Sequence, residues 1–308
     1  MAERRLIQAC EDGDVEKLRE LLAEGVDVNY SSIQGMRGFP LMVNALSEAF
    51  FYKFSADRDL QERADAAIEL LLENGADPNL AGDSGYTVLH LAASCADTLG
   101  VRRLLDAGAD PNVTIMYYFA RGETPLHQLC IMHGRNLPKA RWPLDYARVR
   151  KDIAVCARLL IQAGARVNER TARGCTPLSL VFHTSCISYD DADILLLRHE
   201  CTEILVRAGA DVNIAAPDGK SPLVHALKLG RRGLVKMYLR AGSAIPRLGP
   251  DTREEDAHAL VKVVAAAGGW DEFVKKHTRV LACAVSKINL PHDVARHIVE
   301  YWCPPGGY

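Results

Sequence analysis

Apolar residues along this 308-residue chain recur at i, i+3 and i+4 in short stretches, each closed by a glycine. Ala67-Ile68-Glu69-Leu70-Leu71-Leu72 and Val101-Arg102-Arg103-Leu104-Leu105 are two of them, and the spacing predicts helices that bury one stripe. The closing glycine opens a recurrent triplet: Gly25-Val26-Asp27, Gly75-Ala76-Asp77, Gly108-Ala109-Asp110, Gly164-Ala165-Arg166, Gly209-Ala210-Asp211 and Gly242-Ser243-Ala244. An Asn follows five of the six, as Asn29, Asn79, Asn112, Asn168 and Asn213. The glycines lie 50, 33, 56, 45 and 33 residues apart, which reads as one 33-residue period carrying insertions. Such a period predicts stacked repeats, with each glycine ending a helix in the left-handed region.

A second signal sits between successive triplets. It stands as Gly85-Tyr-Thr-Val-Leu-His90, Gly122-Glu-Thr-Pro-Leu-His127, Gly174-Cys-Thr-Pro-Leu-Ser179 and Gly219-Lys-Ser-Pro-Leu-Val224. Thr87, Thr124, Thr176 and Ser221 are expected to cap a helix. Pro125, Pro177 and Pro222 fall at its first position, where a missing N–H costs nothing. Leu89, Leu126, Leu178 and Leu223 are expected to point into the stack. The second repeat offers only Gly38-Phe39-Pro40-Leu41 for this motif, and the first lacks it.

Both motifs closely resemble those of the ankyrin repeat: a tight hairpin, an inner helix and an outer helix. The resemblance covers residues 1–246 as six repeats, with 1–37 the N-terminal cap. It implies an all-α ankyrin-repeat solenoid with short β-hairpin loops. It also implies that His90 and His127 bond backbone between neighbouring repeats and are not acid–base groups. Residues 247–308 do not repeat and form a second, helical region with a tail.

The extra residues are expected between the two helices of a repeat, as functional loops or as longer helices packed on their neighbours: around Phe50–Asp57 in the second, His133–Tyr146 in the fourth and Ile187–Asp191 in the fifth. Packing is the favoured role for the Phe50–Phe54 aromatics. The segment Lys139–Tyr146 interleaves basic residues with Trp142 and Tyr146. Ile115-Met116-Tyr117-Tyr118-Phe119 places three aromatics at a hairpin tip, either as a partner contact or folded back onto the fourth repeat.

Two readings also stand for the C-terminal helices. Leu290, Val294, Ile298 and Tyr301 share one face, which can close the stack as a cap. Leu290-Pro291 with Val294 and Ile298 is also faintly similar to the opening of a truncated F-box, which would recruit a ubiquitin-ligase component.

Charge adds little to this picture. The formal net charge of -2 gives no field for nucleic acid, and no run is long or apolar enough to predict a membrane span. Nine scattered cysteines predict reduced thiols in a cytoplasmic or nuclear protein. No phosphate-binding loop, hydrolase elbow or metalloprotease motif occurs, so no enzyme, cofactor or metal is expected. His183, Cys186, His199 and Cys201 match no zinc spacing.

The expected function is protein binding by a scaffold or adaptor, the alternative being substrate recognition for a ubiquitin ligase. In the family resembled, partners lie across hairpin tips and inner helices. That assigns Asp83, Ser84, Tyr86, Arg121, Glu123, Arg173 and Lys220 at the tips, and Ser94, Met132, His183 and Lys228 on the helices. Tyr117, Tyr118, Phe119 and Trp142 join them as aromatic candidates.

Overall fold

The computed structural model describes residues 2–32, 43–55, 57–81, 84–116, 120–131, 146–183, 192–228, 232–244 and Glu272. The chain divides into two compact units, Met1–Ala210 and Asp211–Tyr308. The readings for Asp83, Tyr117–Phe119, Met132, Trp142, Cys186 and Leu290–Tyr301 lie outside the described residues.

The first unit is built from helix pairs. They are α1 (Ala2–Asp12) with α2 (Val15–Ala23), α3 (Ala45–Tyr52) with α4 (Arg58–Glu73), α5 (Val88–Ser94) with α6 (Thr98–Asp106), α7 (Pro125–Ile131) with α8 (Tyr146–Gln162), and α9 (Pro177–His183) with α10 (Ala192–Arg207). Two two-residue strands, β1 (Ser31–Ser32) and β2 (Val43–Asn44), pair antiparallel ahead of α3. The first helices form an inner layer in which α1, α3, α5, α7 and α9 pack in sequence order. In the outer layer α2 packs on α4, α6 on α8 and α8 on α10. The second unit holds one further described pair, α11 (Pro222–Lys228) and α12 (Arg232–Arg240).

The apolar stripes fill the space between layers as their spacing predicts. Leu89, Leu126, Leu178 and Leu223 are buried, as are Ile68, Leu71 and Leu104 on the outer helices. Each fully buried leucine contributes about 2 kcal/mol. Pro125, Pro177 and Pro222 open their helices.

The recurrent Asp-x-Asn after each outer helix now has a physical account. Asp27, Asp77 and Asp110 each accept the N–H of the Asn two residues on, which fixes the turn. The asparagine then reaches the next repeat. Asn79 donates to the Gly108 carbonyl at 3.0 Å and accepts the Asp110 N–H at 2.7 Å. Asn29 does the same to Gly75 and Asp77, and Asn112 to Gly164 and Arg166. Asn213 repeats the arrangement inside the second unit, with Gly242 and Ala244. A ladder of amides therefore satisfies backbone groups that the helix ends leave without partners.

In the second repeat the motif at Gly38–Leu41 lies outside the described residues, and the inner helix described there begins at Ala45. Its cap is Asn44, whose side chain accepts the Ser47 N–H at 2.7 Å while Ser47 Oγ accepts the Asn44 N–H at 3.0 Å. That reciprocal box secures the helix start without a proline.

Most of the His133–Tyr146 insertion and all of Ile187–Asp191 lie outside the described residues, and among the described ones the longer-helix reading accounts for part of the excess. Ala45 follows Gly25 by 20 residues, whereas Val88 follows Gly75 by 13, so part of the second insertion precedes the inner helix. More of the excess is helix. The outer helices α4, α8 and α10 span 16, 17 and 16 residues, against 9 for α2, α6 and α12. Added turns extend the neighbour contacts and keep every backbone group bonded, which a long loop would not.

The aromatics at the end of α3 divide. Phe50 is fully buried, whereas Phe51 is exposed and meets Tyr52 edge to face. Lys53 follows them into a largely buried position, with Nζ 2.8 Å from Asp65 Oδ1 and 2.7 Å from Asp97 Oδ2. Arg103 completes the network on α4 through Asp65 and Glu69. These five charges bind the second repeat to the third.

Candidate functional site

The hairpin tips of the third to fifth repeats are joined edge to edge by backbone bonds. Within the fourth repeat, the Ile115 N–H donates to the Glu123 carbonyl at 2.9 Å and the Gly122 N–H to the Ile115 carbonyl at 2.7 Å. Met116 N–H then donates to the Ser84 carbonyl at 2.6 Å, and Ala172 N–H to the Arg121 carbonyl at 2.9 Å. Gly122 has φ +85, and a Cβ there would lie 2.9 Å from the Ala172 nitrogen, so glycine serves both turn and contact. Ile115 is buried beneath the tip while Met116 is exposed.

Behind the tips, the inner helices are held by reciprocal caps. Thr87 N–H donates to His90 Nδ1 at 3.1 Å, which places the ring proton on Nε2, and Nε2 donates to the Glu123 carbonyl at 3.3 Å. His127 repeats this with Thr124 and the Cys175 carbonyl. Burial lowers both imidazoles to about 4, against which their bonds to the next repeat's backbone act. Each ring is thus a neutral bridge between repeats. The fifth repeat has Ser179 instead, which closes only the local box with Thr176.

The candidate tip residues separate by burial. Arg121 and Arg173 are exposed. Ser84, Tyr86 and Ser94 are buried, so their side chains do not form the surface assigned to them. Tyr86 lies against the His90 ring with centroids 5.2 Å apart. Its phenol is raised above its ordinary range by burial, with Ser94 opposing as a hydrogen-bond partner. A tyrosine next to a buried imidazole gains more from packing than from exposure, which is why position in the motif misleads here.

Glu123 stands between these groups, half-buried. Its carboxylate accepts from Gln128 Nε2. Burial pushes it up to about 7, against the pull of the Gln128 bond and of the Arg173 charge. Gln128 is the one partner here that the sequence did not single out, and its place one turn into α7 was the available signal. In the second unit, Lys220 donates to Asp218 at 2.9 Å and is half-buried. His183 and Lys228 are the last residues of α9 and α11.

A separate groove of about 530 Å³ runs between α8 and α10, lined by Arg158, Ile161, His199, Glu203 and Arg207 among others. Its charges are mixed, and Glu203 and Arg207 pair with each other at 2.7 Å. His199 lines this groove, whereas Cys201 is buried against Cys130. Among the described residues no three potential metal ligands gather, and no helix is long and apolar enough to cross a membrane.

Comparison with known proteins agrees with the geometry. The family model for ankyrin repeats (3 copies) matches residues 60–142. A solved ankyrin repeat domain from Acinetobacter baumannii superposes with a TM-score of 0.58, covering 79% of this chain and all of that one at 22% identity. The fold is the ankyrin repeat. Among curated proteins, human Rabankyrin-5 is 24% identical over 69% of this chain. The neurogenic locus notch homolog protein 1 of Xenopus tropicalis is 29% identical over 73%. The chain spans only 18% and 8% of the length of those two proteins. Ankyrin repeats generally mediate protein–protein interaction.

Proposed function

We propose that this chain is a protein-binding scaffold or adaptor that grips a polypeptide along the hairpin tips and inner helices of its third to fifth repeats. The observation that supports it is the row of backbone-bonded tips, which holds Arg121 and Arg173 exposed on successive repeats with Glu123 between them. A rigid row lowers the ordering cost of binding, and arginine is well suited to anchor a partner. The burial of Cys10, Cys130, Cys175 and Cys201 as thiols supports a reducing compartment, with the cytoplasm as the proposed location.

The test is capture of partners from source cells by the intact chain and by the double variant Arg121→Glu, Arg173→Glu. Both arginines are exposed, so the variant should melt as the parent does while losing partners that the parent retains. Undiminished capture by a folded double variant would move the binding surface elsewhere.

A further inference from the structure

Cys130 and Cys201 are 71 residues apart in sequence, yet their sulfur atoms lie 3.9 Å from each other. Cys130 is the penultimate residue of the inner helix of the fourth repeat, and Cys201 sits within the long outer helix of the fifth. Both are buried free thiols. The separation is van der Waals contact and well beyond the roughly 2.05 Å of a disulfide, so a small approach of α7 and α10 would bring the sulfurs to bonding distance.

We propose that Cys130 and Cys201 are an oxidative modification site at which a peroxide installs a disulfide between the fourth and fifth repeats. One thiolate attacks the peroxide, taking one oxygen to become a sulfenic acid while the O–O bond breaks and, with hydrogen peroxide, one water leaves. The second thiol then attacks the sulfenic sulfur, forming the S–S bond and releasing a second water. Two thiols are oxidised by two electrons and one peroxide is reduced to two waters.

The surroundings set the rate. The hydrogen bond with Cys201, then burial, hold the Cys130 thiol well above its ordinary range, so the closed protein offers little thiolate. The first step therefore proceeds when the contact between the repeats opens, and the second follows as the contact closes again and returns the partner sulfur to its side. The product would tie an inner helix to an outer one and close a long stretch of chain, including α8 and α9. A bond across so many residues restricts the unfolded chain strongly.

The experiment treats the reduced, full-length chain with hydrogen peroxide, in buffer and in urea below the unfolding transition. Remaining thiols are blocked after denaturation, and non-reducing digests are read by mass spectrometry. A peptide pair linking Cys130 to Cys201 is expected, forming faster in urea and released by a reducing agent. The linked protein should melt about 5 °C higher or more than the reduced one. Cys130→Ser and Cys201→Ser should each remove that pair. Because the parent chain alone reports the bond, the proposal stays testable even where a serine variant fails to fold. It is overturned if both cysteines are recovered as blocked thiols. Separate sulfinic acids, or pairing of either cysteine with a different one, would also overturn it, as would zinc held by the two thiols in the isolated protein.

Discussion

His90 Nε2 donates to the carbonyl oxygen of Glu123 across 3.3 Å, and this bond ties the inner helix of the third repeat to the hairpin of the fourth. The two bonds together require a neutral ring, because Nδ1 accepts the Thr87 N–H and could not do so once protonated. His127 stands in the same relation to Cys175.

Acid should therefore loosen the stack at these two joints. Both histidines have folded values lowered from 6.5 to about 4, so the unfolded chain binds more protons between those limits. Their contribution is complete above pH 6.5 and is lost as the pH falls towards 4. Each ring accounts for up to about 1.4 kcal/mol per pH unit in that window. Urea unfolding at pH 7.5, 6 and 5 should show the decline, and the double variant His90→Gln, His127→Gln should flatten it.

Glu123 acts in the opposite sense. Its folded value is raised from 4.5 to about 7, so its contribution is present below pH 4.5 and lost as the pH rises through 7. Glu123→Gln keeps an acceptor for Gln128 and removes the charge. At pH 8 it should stabilise the protein by about 1 kcal/mol, discounted for partial exposure, and at pH 4.5 by nearly nothing. Equal stability of the two proteins at pH 8 would show that Arg173 and solvent already neutralise the carboxylate.

The joint between the second and third repeats should depend on Lys53. Lys53→Met leaves Asp97 buried without its cation and should cost about 3 kcal/mol, measured as a shift in the urea midpoint. Gly100 borders the same site. A Cβ there would collide with Asp97 Oδ2 and sit 2.8 Å from the Phe50 ring, so Gly100→Ala should cost about 1–3 kcal/mol. If Gly100→Ala melts with the parent, the carboxylate has room that this geometry denies it.

Two backbone positions should respond with opposite signs. Ala96 has φ +48 between α5 and α6, a conformation that penalises its Cβ, so Ala96→Gly should stabilise by about 1 kcal/mol. Gly108 has φ +88 with open space around it, so Gly108→Val meets no neighbour and suffers from the conformation alone. It should cost at least about 1 kcal/mol. Thermal melts of both variants decide the matter, and a neutral Gly108→Val would misplace the end of α6.

The repeat, its period and the ends of its outer helices were legible in the sequence, because those follow from local chemistry. A glycine after an apolar stripe, a threonine before a proline and an Asp two residues from an Asn act over one turn of chain, and each does in the structure what its spacing implies. The Asn44–Ser47 box is equally local but less distinctive, and the sequence did not single it out. Tertiary structure decided everything that depends on partners in other repeats. Lys53 meets Asp97 across 44 positions and Cys130 meets Cys201 across 71, and no periodicity encodes such pairs. The same holds for exposure at the candidate surface. Tyr86 and Arg121 occupy comparable places beside their motif glycines, yet one is buried on the His90 ring and the other faces solvent. Burial is a property of the packed neighbours, so it becomes known only once the repeats are stacked.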